Sequence, residues 1–134
     1  VRSVCVTNNP LWRDGYGETE AVRVMEEAAA ADVFIAARDL VHKGWRFAGH
    51  PLYGNFSPTR HPYRTLVLIA PGEAGGLDME SLALLEQALE ACRGDARDIA
   101  AGEMPARMKS DFAMLDRSLM EEIVKRYIGR GGSL

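Results

Sequence analysis

A chain of 134 residues, 47% hydrophobic and 26% charged, has the size and composition of one ordinary globular domain, which excludes a disordered or fibrous polymer. Its formal net charge of -3, with acids and bases interspersed, offers no footprint for a nucleic-acid backbone, and its basic residues are too scattered to dock on anionic lipid. No run approaches the roughly 18 apolar residues of a membrane helix and no charged-then-apolar leader is present, so a cytoplasmic protein is expected, with small molecules or other proteins as partners.

Val1 to Thr7 is short, apolar and rich in β-branched residues, and Asn8-Asn9-Pro10 follows it, which predicts a buried strand ending in a turn. Asp14-Gly15 and Tyr16-Gly17 mark residues 11 to 19 as a loop with at most one helical turn. The alternation Ala21-Val22-Arg23-Val24-Met25 predicts a short second strand. From Ala29 to Lys43, Val33, Ala37, Leu40 and Val41 recur at helical spacing, and Gly44 stands where a left-handed residue ends a helix. His42 and Lys43 fall in its last turn, where the helix dipole favours positive charge.

Trp45 to Gly49 predicts a third strand, cut short by His50-Pro51 and Gly54. A turn-rich loop holding Pro58 and Pro62 leads to Thr65 to Ala70, a continuous apolar run suited to a central strand buried on both faces. Asp78 reads as the N-cap of a helix reaching Arg93, with Leu77 and Leu82 placed as a hydrophobic staple and Leu82, Leu85, Leu89 and Cys92 as its apolar stripe. Residues 95 to 104 are a connection. Beyond Pro105, Met108, Phe112, Leu115, Leu119, Ile123 and Tyr127 form a roughly helical stripe, but Ser118 with Glu121 is also a capping-box pattern, so residues 105–128 read as one helix or two. Residues 129–134 read as a mobile tail beyond a single domain spanning 1–128. The order strand, strand, helix, strand, strand, helix predicts a small three-layer α/β fold, a mainly parallel four-stranded sheet with helices on both faces.

Two loops stand out as polar sites, Thr7-Asn8-Asn9-Pro10 after the first strand and His50-Pro51-Leu52-Tyr53-Gly54-Asn55 after the third. Ligands of open parallel sheets bind beyond the carboxyl ends of strands where the strand order reverses. With the order second, first, third, fourth, that reversal brings these loops face to face. Asn8, Asn9, His50, Gly54 and Asn55 are then the candidate ligand-binding residues: the amides donate and accept, and the imidazole donates, accepts or exchanges a proton near neutrality. The competing reading makes Asn-Asn-Pro and His-Pro simple turns.

No glycine-rich phosphate fingerprint follows the first strand, Ser57 and Ser110 do not sit in a nucleophile elbow, and His42, His50 and His61 lack metal-ligand spacing, so no cofactor and no metal are expected. Cys5 and Cys92 read as small core residues in a reducing compartment. Arg60, His61 and Arg64 read as an exposed charged turn, and Met104, Met108, Met114 and Met120 as core or gap filler.

The stretches Val6-Thr7-Asn8-Asn9-Pro10-Leu11, Val41-His42-Lys43-Gly44, His50-Pro51-Leu52 with Gly54, Pro58 and Pro62-Tyr63, Leu77-Asp78 with Glu80-Ser81-Leu82, and Asp111-Phe112 with Leu115-Asp116 resemble the GrdX protein family. That family takes its name from genes beside glycine, sarcosine and betaine reductase components. The resemblance implies a cytosolic accessory protein of anaerobic amino-acid reduction, with reductase components as protein partners, and carries no catalytic role to any residue. Three functions follow: a non-catalytic accessory protein binding a small polar ligand; a small enzyme using His50 as general acid or base, with Asn8 and Asn9 stabilising negative charge; and a purely structural or assembly partner.

Overall fold

The computed structural model describes residues 2–16, 19–54, 61–73, 75–93 and 104–129. Strand β1 (Ser3–Thr7) leads through a 3-10 turn (Pro10–Arg13) to β2 (Val22–Val24), α1 (Ala30–His42), β3 (Arg46–Ala48), β4 (Thr65–Ile69), α2 (Met79–Arg93) and α3 (Ala106–Tyr127). Each expected strand and helix forms near its expected place. The ambiguous segment is one continuous helix, with Ser118 exposed in its middle instead of capping a second one.

The sheet is mixed, and the mainly parallel arrangement read from the sequence is not what forms. Its order is β2-β1-β4-β3, with β1 parallel to β2 and β4 antiparallel to both β1 and β3. Parallel neighbours need a crossover, usually a helix, and among the described residues no helix separates β3 from β4. The turn-rich connection lets β4 return alongside β3 in the opposite direction and insert beside β1. The expected reversal between β1 and β3 is therefore replaced by a strand lying between them.

All five residues of β4 are buried, as a strand covered on both faces requires. Leu66 and Leu68 join Val4 and Val6 in the core under α1 and α2, with Val33, Phe34, Val41 and Leu85. On the other face Val67, Ile69 and Cys5 pack with Trp12, Met120 and Val124, so α3 covers that side. Helices lie on both faces, as expected.

Helix α1 ends in a Schellman motif: the Gly44 N–H donates to the Val41 carbonyl at 3.0 Å and the Trp45 N–H to the Leu40 carbonyl at 3.0 Å. At the start of α2 the Asp78 carboxylate accepts the Ser81 N–H at 3.1 Å and the Ser81 hydroxyl at 2.6 Å, the capping foreseen for Asp78. Leu77, expected to staple onto Leu82, is instead 54% exposed. Ser81 Oγ also accepts the Phe47 N–H at 2.9 Å, tying α2 to the edge strand β3. The closing Gly94, the 95–103 connection and residues 130–134 lie outside the described residues.

Gly44 has a φ of +97°, and a Cβ there would stand 2.9 Å from the Gly76 carbonyl oxygen, a backbone atom that cannot swing aside. Gly44→Ala combines left-handed strain with that clash, so it is expected to lower the unfolding free energy by about 2 kcal/mol, measured by urea denaturation; an unchanged midpoint would contradict this packing.

Candidate functional site

The carboxyl ends of β1 and β3 and the start of β4 lie at one end of the sheet, because β1 and β3 run the same way. Both asparagines of the first loop turn inward, 1% and 0% exposed. Asn8 Nδ2 donates to the Ala28 and Pro62 carbonyls, each at 2.8 Å, and Asn8 Oδ1 accepts the Arg64 N–H at 2.8 Å. Asn9 caps the 3-10 turn by accepting the Leu11 N–H at 3.1 Å, while its Nδ2 donates to the Ala113 carbonyl at 2.9 Å and to Asp116 Oδ2 at 3.0 Å. These amides join loops to one another and to α3.

Asp116 is the acceptor on which this end converges, and it is fully buried. Its Oδ2 takes the Thr65 hydroxyl at 2.6 Å as well as Asn9, with Trp12 Nε1 more distant at 3.4 Å; its Oδ1 takes the Tyr53 hydroxyl. Since Thr65 gives its one proton to Asp116, the 2.8 Å bond between Thr7 and Thr65 has Thr7 as donor. Thr65 Oγ1 also accepts Trp12 Nε1 at 2.9 Å. The Tyr53 oxygen accepts the Thr65 N–H at 2.8 Å, so it both donates and accepts. Burial, and then the Asp116 charge, push the Tyr53 phenol well above its ordinary value, which keeps it protonated as a donor.

Arg64 connects the two loops. Its N–H holds Asn8, its guanidinium donates to the Pro51 and Tyr53 carbonyls at 3.2 and 3.0 Å, and it lies 4.0 Å from the centre of the Tyr53 ring. Burial lowers its pKa, opposed by Tyr53 and Asp116. The exposed charged turn expected at residues 60 to 64 is thereby corrected: Arg64 is 0% and His61 6% exposed, while Arg60 lies outside the described residues. A signal was present in the sequence, because Arg64 directly precedes the apolar run of β4. A residue entering a strand buried on both faces enters the core with it.

His61 packs on Phe112, ring centroids 5.2 Å apart, and neither imidazole nitrogen has a hydrogen-bond partner among the described residues. Burial first, and the Arg64 charge second, lower its pKa from 6.5.

His50 is separated from the asparagines. It is exposed, and its Nδ1 accepts the Leu52 N–H at 3.0 Å. It lines a cleft of about 310 Å³ along the β3 edge with Arg46, Gly49, Asp78, Glu80, Ser81 and Leu84. Thus Asn8 and Asn9 meet one another through Arg64 and Asp116, and His50 faces a different neighbourhood. Gly54, with a φ of +65°, is exposed near Leu119, and Asn55 lies outside the described residues.

Helix α3 presents Ala113, Asp116, Met120 and Val124 to the interior; of the stripe expected from the sequence, Phe112 and Ile123 pack against the core, whereas Met108, Leu115 and Leu119 are nearly half exposed. The reason is Asp116, whose donors all sit on the sheet side and fix the rotation of the helix. Met104 and Met120 are buried as core residues, whereas Met108 and Met114 are exposed. Cys5 and Cys92 are buried thiols, and burial raises the Cys5 pKa far above its ordinary value. No helix among the described residues is long and apolar enough to cross a membrane.

A family model described as GrdX-like protein matches residues 4–125, spanning the sheet, both loops, Arg64 and Asp116. The chain belongs to this family. No curated protein and no solved structure matches it. The GrdX-like match therefore places the Asp116 network and the His50 cleft within the family domain.

Two outcomes are expected here. Asp116→Asn replaces an acceptor with a donor facing buried donors and should cost about 3 kcal/mol, and Tyr53→Phe, which strands the Thr65 N–H, about 2 kcal/mol; equilibrium urea unfolding compares both, and a loss under 0.5 kcal/mol would show the network to be dispensable. The second concerns acid. The folded protein holds His61 below 6.5, so the unfolded chain takes the proton first as pH falls. The stability from a neutral His61 is complete above about pH 6.5 and declines below it, toward the lower folded value. His61→Phe should flatten the Tm-versus-pH curve in that window; an unchanged slope would assign the dependence to other groups.

Proposed function

We propose that this GrdX-like protein is a non-catalytic cytosolic accessory protein that binds a small polar ligand in the His50 cleft, in the service of glycine-type amino-acid reduction. The observation that carries the reading is the bond from the Leu52 N–H to His50 Nδ1. A neutral ring that accepts at Nδ1 carries its proton at Nε2, so it offers a ligand a donor. Its basic lone pair is already engaged by the backbone, which disfavours the general-base alternative. Beside it, Arg46 supplies a second donor for a carboxylate, and Asp78 and Glu80 supply acceptors for an ammonium group. Hydrogen bonds from Ser81, the largest cause, hold the Asp78 carboxyl below its usual range and keep it charged. A small zwitterion matches that distribution, and the family resemblance points to glycine, sarcosine and betaine.

Titration of the protein with glycine, sarcosine and betaine, followed by amide chemical shifts, should give saturable changes at Arg46, His50 and Ser81 with a Kd of about 1 mM or tighter. His50→Asn should weaken binding about tenfold, the equivalent of about 1.4 kcal/mol, while leaving the fold intact. Shifts confined to other residues, or no saturable shift with any of the three, would defeat this assignment. Turnover of a bound amino acid that disappears in His50→Asn would support the enzyme reading instead.

A further inference from the structure

Asn8, Asn9, Thr65 and Asp116 are buried and hydrogen-bonded, whereas His61 is buried and is not. Only 6% of it is exposed, yet neither ring nitrogen has a partner among the described residues. Native interiors pair almost every buried polar atom, so an orphaned imidazole calls for a reason. The ring is tilted by 48° against Phe112, centroids 5.2 Å apart. Phe112 in turn packs with Leu11 against Tyr63 and Ala113, a small apolar cluster separate from the two main cores. The contact that holds His61 is thus apolar and suits only a neutral ring.

A proton on that ring meets an unfavourable setting. Of the charges that reach it, Arg64 at the entrance of β4 opposes protonation, and Asp116 on α3 favours it less strongly. The Asp116 oxygens are already engaged by Asn9, Thr65 and Tyr53, so they offer an imidazolium attraction without a hydrogen bond. Its two N–H donors are satisfied in water instead. We infer that His61 is a pH-driven latch: protonation moves the ring from Phe112 into solvent and uncovers an apolar stripe on α3, while the rest of the fold stays closed. Phe112 lies four residues after Met108 and three before Leu115, on one helix face with Leu119. Those three neighbours are already nearly half exposed, so freeing Phe112 makes the stripe continuous. The movement stops at the next residues, because the Pro62 carbonyl and the Arg64 N–H are both bonded to the Asn8 amide. Local opening of this kind costs less than unfolding the cores. The latch is independent of the ligand assigned to the His50 cleft.

The full chain carries the test, followed by NMR between about pH 7.5 and about pH 4. The His61 ring signals should titrate with a midpoint below 6.5, and the Phe112 ring and Ala113 methyl signals should move with that same midpoint. The Val33 and Leu85 methyls, in the core under α1 and α2, should stay in place. Fluorescence of the apolar dye anilinonaphthalene sulfonate should rise about threefold through that midpoint. His61→Phe keeps an uncharged ring on Phe112 and should hold the rise below about 1.3-fold. Should that variant not fold, the signals of the unaltered chain decide alone. A His61 midpoint at or above 6.5, or a titration that leaves Phe112 and Ala113 unmoved, would overturn the inference. So would movement of Val33 and Leu85 together with Ala113, which marks global unfolding, or an unchanged dye response in His61→Phe.

Discussion

The buried carboxylate of Asp116 organises one end of this molecule. A charge removed from water is tolerated only when its acceptor sites are filled, and here a hydroxyl from β4, a phenol from the strap after β3 and an amide from the loop after β1 fill them. Three segments far apart in sequence are thus required to meet at one residue of α3. Helix rotation, strap position and the start of β4 are coupled consequences of the same requirement. Arg64 extends the network outward, since one residue joins the Asn8 amide to the Pro51 and Tyr53 carbonyls.

That economy explains why the polar residues of the two loops divide into two roles. Asparagines suit a buried junction because each side chain both donates and accepts, and Asn8 and Asn9 use both capacities within the fold. His50, on a strap anchored by Tyr53, is instead left at the surface beside the α2 terminus. The strap therefore has an inner side that sets architecture and an outer side on which His50 faces the cleft beside α2. Arg117 secures the first loop in a similar way, reaching the Leu11 and Asp14 carbonyls while lying 4.9 Å from the centre of the Trp12 ring.

Local elements were legible in the residues because each has a local cause. The TLVLI run could only be a strand covered on both faces, Gly44 could only end a helix, and Asp78 had the right placement to cap one. Strand order was not legible, because it depends on whether a long connection crosses over or turns back, and the turn-rich residues before β4 contain no periodicity that decides. The inward face of α3 was misread for a different reason. Hydrophobic spacing favours Met108, Leu115 and Leu119, but the partners of Asp116 lie on β4 and on the loops at its end, all on one side of the helix, and a buried charge outweighs several half-buried apolar contacts. The same consideration hid the site: Asn8 and Asn9 look like ligands in a turn until their partners, distant in sequence, are in place.

The bond from the Phe47 N–H to Ser81 has a consequence for how copies of this protein behave in a crowded solution. An outer strand normally offers free N–H groups on which another chain can add itself as a further strand. Here β3 has that outward N–H occupied by a helix side chain, and on the opposite edge the Val22 N–H is taken by the Thr19 carbonyl and hydroxyl, both at 3.3 Å. On each margin of the sheet an outward N–H is thus occupied by a group of its own chain. Each outer strand is also only three residues long, so little template is left for sheet-to-sheet growth, and the fold resists the fibrous assembly open to many small β-containing proteins.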